Sequence, residues 1–185
     1  TIPSTIVVKT RIDDKSGAVL ANSVELHQII MNLCTNAVHA IGENGGALEI
    51  EVQDAEIDHA EKNGFLDLEV GSYVRISVKD TGYGMHPDVM KRIFDPYFTT
   101  KEKGVGTGLG LAVVHGIVKK SGGAIKVESE PGKGTAFHIY LPKVDMTGPI
   151  NSEQPKSIVG GSERILFVDD EKMLVDIGQQ VLQRL

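Results

Sequence analysis

A carboxylate and two glycines follow an alternating apolar stretch in the run Asp80-Thr81-Gly82-Tyr83-Gly84-Met85. A carboxylate at the end of a half-buried strand can accept a hydrogen bond from an exocyclic amine, which adenine offers and the 6-oxo group of guanine does not. Gly82 and Gly84 have no side chain, so the backbone there could approach a flat ligand closely. Asp-x-Gly also marks an ordinary turn at the end of a strand. By itself the run fits both a pocket floor and a plain turn.

Two asparagines, Asn32 and Asn36, stand four residues apart in a stretch with helical spacing, and His39 lies near their line. Side chains four apart on a helix share a face. Their amide oxygens are hard neutral ligands of the kind that Mg²⁺ accepts beside water and phosphate oxygens. The alternative is two asparagines and a solvated histidine on a helix surface.

Four alternating glycines, Gly104, Gly106, Gly108 and Gly110, run directly into a second stretch with helical spacing. Backbone amides and a helix N-terminus together form a phosphate site. No Gly-Lys-Ser/Thr ends the loop, so it is not a Walker A loop, and it lacks the preceding strand of a Rossmann turn. The alternative is a glycine-rich turn without a ligand.

Lys101, which follows Thr99 and Thr100, could reach a terminal phosphate if this loop closes over the site. We expect three aromatic residues before it to anchor the loop on the core: Phe94, Tyr97 and Phe98. The alternative is a surface lysine.

Five runs of the sequence, in this order, resemble the N, G1, F, G2 and G3 boxes of the histidine-kinase branch of the GHKL ATP-binding superfamily. They are residues 32–37, 80–85, 94–101, 104–111 and 132–135. Each run is short, but the set is specific, and the resemblance covers nearly all of residues 1–143. It implies ATP and Mg²⁺ as ligands.

The resemblance also implies roles for individual residues. Asn32, Asn36 and Lys101 would be catalytic, with Asn36 a direct Mg²⁺ ligand and Asn32 supporting it directly or through water. Asp80 would recognise adenine, and Thr135 would support a water network around Asp80. The implied nucleotide-binding set is Asn36, His39, Asp80, Gly82, Gly84, Met85, Thr100, Lys101, Gly106, Thr107, Gly108, Leu109, Gly110 and Thr135.

Asn32 bears on the reaction type. In GHKL hydrolases a glutamate four residues before the metal asparagine acts as general base on water, and an amide is a poor base. The resemblance therefore implies a protein histidine kinase domain that orients ATP for γ-phosphoryl transfer to a histidine on a separate dimerisation domain. Two alternatives stay open: an ATP hydrolase of the same fold, and a nucleotide-sensing module without catalysis.

None of the six histidines lies in a long helical hairpin followed by an acidic residue. We therefore expect negligible autophosphorylation of the isolated chain. The acceptor would come from the dimerisation domain of the parent protein, and a receiver domain or response regulator would be a further partner.

The elements that position these residues follow from periodicity. The patterns predict strands at residues 5–11, 48–52 and 74–78, helices at 23–41, 87–94 and 107–121, and a hairpin of strands 124–130 and 135–141. Asn22 and Glu25 predict a capping box, and residues 54–72 read as a long, exposed, acidic connection. The predicted fold is α/β (α+β), a two-layer sandwich with a mixed sheet and helices on one face.

After Pro142 the composition changes. Residues 144–162 read as a linker, and residues 163–185 as an apolar strand, an acidic pair and an amphipathic helix. This end resembles the first strand and helix of a response-regulator receiver domain, with Asp169 and Asp170 at the positions of its Mg²⁺-binding acidic pair. The resemblance implies a hybrid sensor histidine kinase.

Composition excludes several classes. The chain has 185 residues and a net charge of −6, which argues against a nucleic-acid binder. Cys34 is its single cysteine, which agrees with a reducing compartment. No apolar run approaches the roughly 20 residues of a membrane span. We expect a cytoplasmic segment without membrane contact, in a parent protein that could be membrane-anchored.

Overall fold

The chain divides into two compact units, Thr1–Met146 and Thr147–Leu185. The computed structural model describes residues 2–58, 68–101 and 106–144, all of which belong to the first unit. The predicted receiver segment, with Asp169 and Asp170, lies outside the described residues. The elements are β1 (Ile6–Ile12), β2 (Ala18–Val19), α1 (Ser23–Ile41), β3 (Gly46–Ile57), β4 (Gly71–Asp80), α2 (Pro87–Met90), α3 (Gly110–Lys120), β5 (Ala124–Glu130) and β6 (Gly134–Val144).

The strands form one mixed sheet in the order β1-β3-β4-β6-β2, and β5 also pairs with β6. β1 and β3 are parallel, because α1 returns the chain between them, and the other pairs are antiparallel. In β4 the last residue, Asp80, pairs with Leu48 on one side and Thr135 on the other. This register places two sequence motifs, those of Asp80 and Thr135, at one end of the sheet.

α1 and α3 pack on one face of the sheet and enclose the main core. Residues that alternate along β4 and β6 face this core, and the buried residues of α1 recur at helical spacing. The central side chains, each almost fully buried, are Ile29, Leu33, Leu48, Val78, Val114, Val118, Ile139 and Leu141. The predicted two-layer sandwich with helices on one face is confirmed.

The N-terminus of α1 is capped as predicted on one side only. The side chain of Asn22 accepts a hydrogen bond from the backbone N–H of Val24 at 2.8 Å. Glu25 does not complete the capping box; its carboxylate pairs at 2.6 Å with Lys120, the last residue of α3. The two helices are therefore joined at their ends by an ion pair.

The connection between β3 and β4 differs from its prediction. β3 continues to Ile57 and β4 begins at Gly71, so residues 54–57 and 71–72 of the predicted connection are strand. Leu68 is 1% exposed and packs with Ile57 and Tyr73 in a second apolar cluster. Because Tyr73 alternates with the core residue Val74, this cluster lies on the sheet face opposite the helices. The prediction of an exposed connection is wrong at these residues.

Other boundaries shift by a few residues. α2 is a short helix that ends at Met90 rather than residue 94, and α3 begins at Gly110 rather than residue 107. β6 includes Val144, the residue at which the linker is predicted to begin. Among the described residues, no helix combines the length and apolar character needed to cross a bilayer.

Candidate nucleotide-binding site

A cavity of about 360 Å³ opens between α1, the end of β4 and the segment that leads into α3. Most of the residues predicted from the sequence line it: Asn32, Asn36, His39, Asp80, Gly84, Met85, Thr100, Lys101, Gly106, Thr107, Gly108, Gly110 and Thr135. Gly82 and Leu109, also predicted, do not line it. The structure thus brings together side chains from runs more than 100 positions apart in sequence.

Asp80 lies at the base of this cavity, 6% exposed. Its Oδ1 accepts hydrogen bonds from the backbone N–H groups of Gly82, at 2.8 Å, and Thr135, at 3.3 Å. Burial raises the pKa of the carboxyl, and the two N–H donors oppose that rise. Both bonds use the same oxygen, so Oδ2 is the atom that can serve a ligand.

The two glycines after Asp80 are required by the protein's own backbone. At Gly84 φ is +67°, and an added Cβ would lie 2.0 Å from the carbonyl oxygen of Glu130. At Gly82 an added Cβ would lie 2.5 Å from the carbonyl carbon of Ala40 in α1. Sequence reasoning assigned these glycines to close approach of a ligand; in the structure they let the segment pass between α1 and the β5–β6 turn.

Thr135 supports Asp80 through its backbone, since its N–H donates to the carboxylate. Its hydroxyl forms a hydrogen bond with the hydroxyl of Ser129, at 2.9 Å. The hairpin also needs glycine at Gly134, where φ is +104° and an added Cβ would lie 2.0 Å from the carbonyl oxygen of Asp80. The β5–β6 hairpin therefore fixes the carboxylate.

On the side of the cavity that carries Asn32 and Asn36, the wall is formed by α1 and by Lys101. The Nζ of Lys101 donates a hydrogen bond to Oδ1 of Asn36 at 3.2 Å. Burial lowers the pKa of this lysine. Asn32, one turn earlier, lies so near the start of α3 that an added Cβ on Gly110 would be 3.0 Å from its Oδ1.

This geometry tests whether the residues suit a magnesium ion. The Oδ1 of Asn36 faces the cavity and already meets a positive charge, the ammonium group of Lys101. A neutral amide oxygen is a donor that Mg²⁺ accepts. The residues present therefore fit the ion.

The glycine segment meets α3 at the cavity. Leu109 is the N-cap of α3 and makes no side-chain capping bond, so the first amides of the helix are not served by a cap. Gly108, with φ +67°, lies against the backbone of Tyr97, whose N–H donates to the Gly108 carbonyl at 2.9 Å. An uncapped helix N-terminus beside glycines is suited to an anion.

The three aromatic residues behave differently from one another. Phe94 packs on the core and against the ring of His115, with ring centroids 5.1 Å apart, as predicted. Phe98 lines the cavity, with the guanidinium of Arg92 4.4 Å from its ring centroid. Tyr97 is 77% exposed and has φ +66°, so the prediction that it anchors the loop on the core is wrong.

Sequence reasoning missed several lining residues. Thr35 and Ala40 follow from the helical spacing of Asn32, Asn36 and His39, so the period of α1 could have found them. The apolar walls carry no such signal, because core residues of strands and helices look alike in sequence. The missed residues are Met31, Thr35, Ala40, Tyr83, Val89, Ile93, Phe98, Thr99, Leu111 and Phe137.

Comparison with known families agrees with this geometry. Residues 21–145 match the family model described as "Histidine kinase-, DNA gyrase B-, and HSP90-like ATPase". The chain belongs to this family. The matched range contains the whole cavity, from Met31 to Phe137.

Within this ATPase family the chain is similar to sensor histidine kinases. It is 38% identical over 174 residues to the sensor kinase CckA of Brucella abortus, covering 89% of this chain and 18% of that protein. It is 44% identical over 124 residues to the sensor histidine kinase ZraS of Salmonella typhimurium, covering 67% of this chain and 23% of that protein. The chain therefore spans about a fifth of the length of these relatives.

Solved structures show the same fold. The catalytic domain of histidine kinase ThkA has a TM-score of 0.59 and 31% identity, over 75% of this chain and 80% of that one. Full-length ShkA in complex with AMPPNP has a TM-score of 0.59 and 30% identity, over 78% of this chain and 27% of that one. The described domain is an ATP-binding catalytic domain of the histidine-kinase type.

Proposed function

We propose that this domain holds Mg-ATP in the cavity and presents its γ-phosphoryl group to a histidine on a dimerisation domain of the parent protein. The observation that carries the proposal is the placement of Asp80, Asn36 and Lys101 in one cavity. An acceptor for a base, an amide for a metal and a cation for a phosphate are the three groups that a bound ATP requires. The solved ShkA complex with AMPPNP supports an adenine nucleotide as the ligand.

At the base end, Oδ2 of Asp80 would accept a hydrogen bond from the 6-amino group of adenine. Oδ1 is held by two backbone donors, so the carboxylate cannot rotate freely to suit another ligand. Apolar side chains of Met85, Ile93 and Phe137 line the same cavity and can contact the faces of a purine. The 6-oxo group of guanine would place an acceptor against the carboxylate, so adenine is favoured.

At the phosphate end, the amides at the start of α3 and the glycines before it would receive the phosphates. Asn36, with Asn32 in support, would hold Mg²⁺, and Lys101 and His39 would face the phosphate oxygens. When bound, the ion neutralises negative charge on the phosphate oxygens during transfer. The protein's own contribution is orientation of the nucleotide and exclusion of water from the apolar part of the cavity.

Transfer to a histidine is favoured over hydrolysis because of Asn32. It lines the cavity one turn before Asn36, where a general base for water would stand, and an amide does not take a proton at neutral pH. Among the described residues that line the cavity, Asp80 is the only acidic one, and it is committed to two backbone donors. A nucleophile presented from another domain is therefore the better acceptor.

The test combines the full chain with the separately purified histidine-containing dimerisation domain of the parent and labelled Mg-ATP. We expect acid-labile label on the added domain, faster than release of inorganic phosphate, and negligible label on the chain alone. Asn36→Ala should abolish transfer, whereas Gly116→Ala, where an added Cβ meets nothing within 4 Å, should not. A dimerisation domain without its acceptor histidine completes the set.

The other outcomes separate the alternatives. Phosphate release without label on the added domain would establish a hydrolase. A rise in melting temperature with nucleotide, but neither reaction, would establish a sensing module, because a ligand of the folded state stabilises by mass action. No rise with any adenine nucleotide would overturn the nucleotide site itself.

We further propose that residues 163–185 begin a receiver domain, with residues 144–162 as the linker, so that the parent is a hybrid kinase. The similarity to CckA covers 89% of the 185 residues, so it cannot end before about residue 165 and extends beyond the range of the family match. Asp169 and Asp170 would then belong to the receiver's metal site. The parent sequence after residue 185 tests this: a later apolar strand should end in a further aspartate, and its absence would contradict the proposal.

A further inference from the structure

We propose that Lys101 occupies the amide oxygen of Asn36 in the nucleotide-free protein and that a nucleotide-bound metal ion must displace it. The proposal rests on the function proposed above and concerns the regulation of the same site. Lys101 would then act as a competitor of the metal, displaced at the lowest cost when a γ-phosphate offers its ammonium group another partner.

The contact joins two residues 65 positions apart. The Nζ of Lys101 lies 3.2 Å from Oδ1 of Asn36, in a part-buried setting. This oxygen faces the cavity and is the atom that suits a metal ion. Lys101 and a metal ion would therefore use the same oxygen atom of Asn36.

The position of Lys101 is fixed from both sides. Its backbone N–H donates to the hydroxyl of Thr99 at 3.1 Å. Its aliphatic stem lies against Gly106, where an added Cβ would be 3.1 Å from Cδ of the lysine. The side chain is thus held between a turn and a glycine, and its ammonium group reaches Asn36 on α1.

The competition follows from charge. Two cations cannot share one amide oxygen at contact distance without strong repulsion. When ATP brings the metal, Lys101 can exchange the amide for the terminal phosphate, which is a stronger, charge-assisted partner. When ADP brings the metal, no γ-phosphate is present, and Lys101 loses its partner without a replacement. Lys101 therefore favours ATP over ADP by weakening the binding of Mg-ADP.

The test is calorimetry on the full chain with ADP and with AMPPNP, each with Mg²⁺ and with a chelator. Lys101→Met should tighten Mg-ADP binding by about 2- to 10-fold, the worth of one hydrogen bond, and weaken Mg-AMPPNP binding. With the chelator the gain for ADP should vanish. Lys101→Arg keeps a charged donor and should reverse the gain in Mg-ADP affinity seen in Lys101→Met, and Lys9→Met in β1, outside the cavity, is the matched control.

The side-chain amide resonance of Asn36 gives a second readout without nucleotide. It should shift in Lys101→Met and not in Lys9→Met. If Lys101→Met binds Mg-ADP no more tightly than the wild type, the competition does not exist, even though AMPPNP binding falls. If the wild type binds neither nucleotide, the proposed function fails as well, so the two failures can be told apart.

Discussion

Replacement of Asp80 by asparagine tests the base end of the site while keeping its shape. The amide oxygen can take the place of Oδ1 and retain the N–H bonds from Gly82 and Thr135. The amide nitrogen then takes the place of Oδ2 and presents a donor to the 6-amino group of adenine. One charge-assisted hydrogen bond is lost and a donor faces a donor.

The expected loss of binding follows from that exchange. A hydrogen bond to a charged group contributes about 1.5–3 kcal/mol. The affinity for Mg-AMPPNP should therefore fall by about 10- to 150-fold. The guanine analogue should lose less or gain, because the new donor suits a 6-oxo group, so the preference for adenine should narrow.

The same substitution should not unfold the protein. Burial raises the pKa of Asp80 in the folded state, so the ionised carboxylate is less favourable there than in the unfolded chain. The free energy of unfolding of the wild type therefore decreases as the pH rises from the pKa of Asp80 in the unfolded chain through its raised pKa in the folded protein. At neutral pH a neutral amide removes this cost, and Asp80→Asn should resist urea as well as the wild type or better.

Calorimetry with both analogues and urea titration of each protein are the measurements. Asp88→Asn, an exposed position in α2 outside the cavity, is the matched control. Undiminished AMPPNP affinity in a folded Asp80→Asn protein would refute the assignment of Asp80 to the base. Strong destabilisation would instead refute the reasoning about its buried charge.

Two other changes probe the backbone and the opposite face of the sheet. Gly84→Ala should lower the free energy of unfolding by more than about 1 kcal/mol in urea titration, because φ is +67° and the new Cβ would clash with Glu130. Gly116→Ala should instead raise the free energy of unfolding by up to about 1 kcal/mol, because the new Cβ meets nothing within 4 Å in α3. Equal stability of the two variants would contradict this reasoning. Burial lowers the pKa of His138, with Arg75 and Lys side chains assisting and Glu128 opposing, so the unfolded chain binds a proton that the folded protein does not. Stability should therefore fall as the pH drops below about 6.5, and His138→Gln should flatten that part of a urea-measured pH profile; an unchanged slope would show that His138 is not the cause.

Much of the local structure could be predicted from the sequence. The helical spacing of α1, its Asn22 cap and the alternation of β4 and β6 follow from which side chains avoid water and which satisfy free backbone groups. The motif residues could also be found, because carboxylates, amides and glycines are recognisable by residue type and by their spacing along the chain. Boundaries were less accurate: residues 107–109 were predicted as helix, but α3 begins at Gly110, and Thr107 and Gly108 line the cavity.

Contacts between distant residues could not be predicted. Glu25 pairs with Lys120 rather than completing a capping box, and Leu68 is buried rather than exposed. The local sequence pattern does not predict the partner of Glu25 or the burial of Leu68, because each depends on which distant segment the fold places beside the residue.

Residue types and their spacing were enough to give the family resemblance, the order of the motifs and the chemical type of each site residue. Only the tertiary structure showed that Thr135 fixes Asp80 through its backbone and that Lys101 reaches Asn36. The physical reason is that side-chain chemistry is local to a residue. Distances across 55 or 65 positions of chain are set by strand register and helix packing.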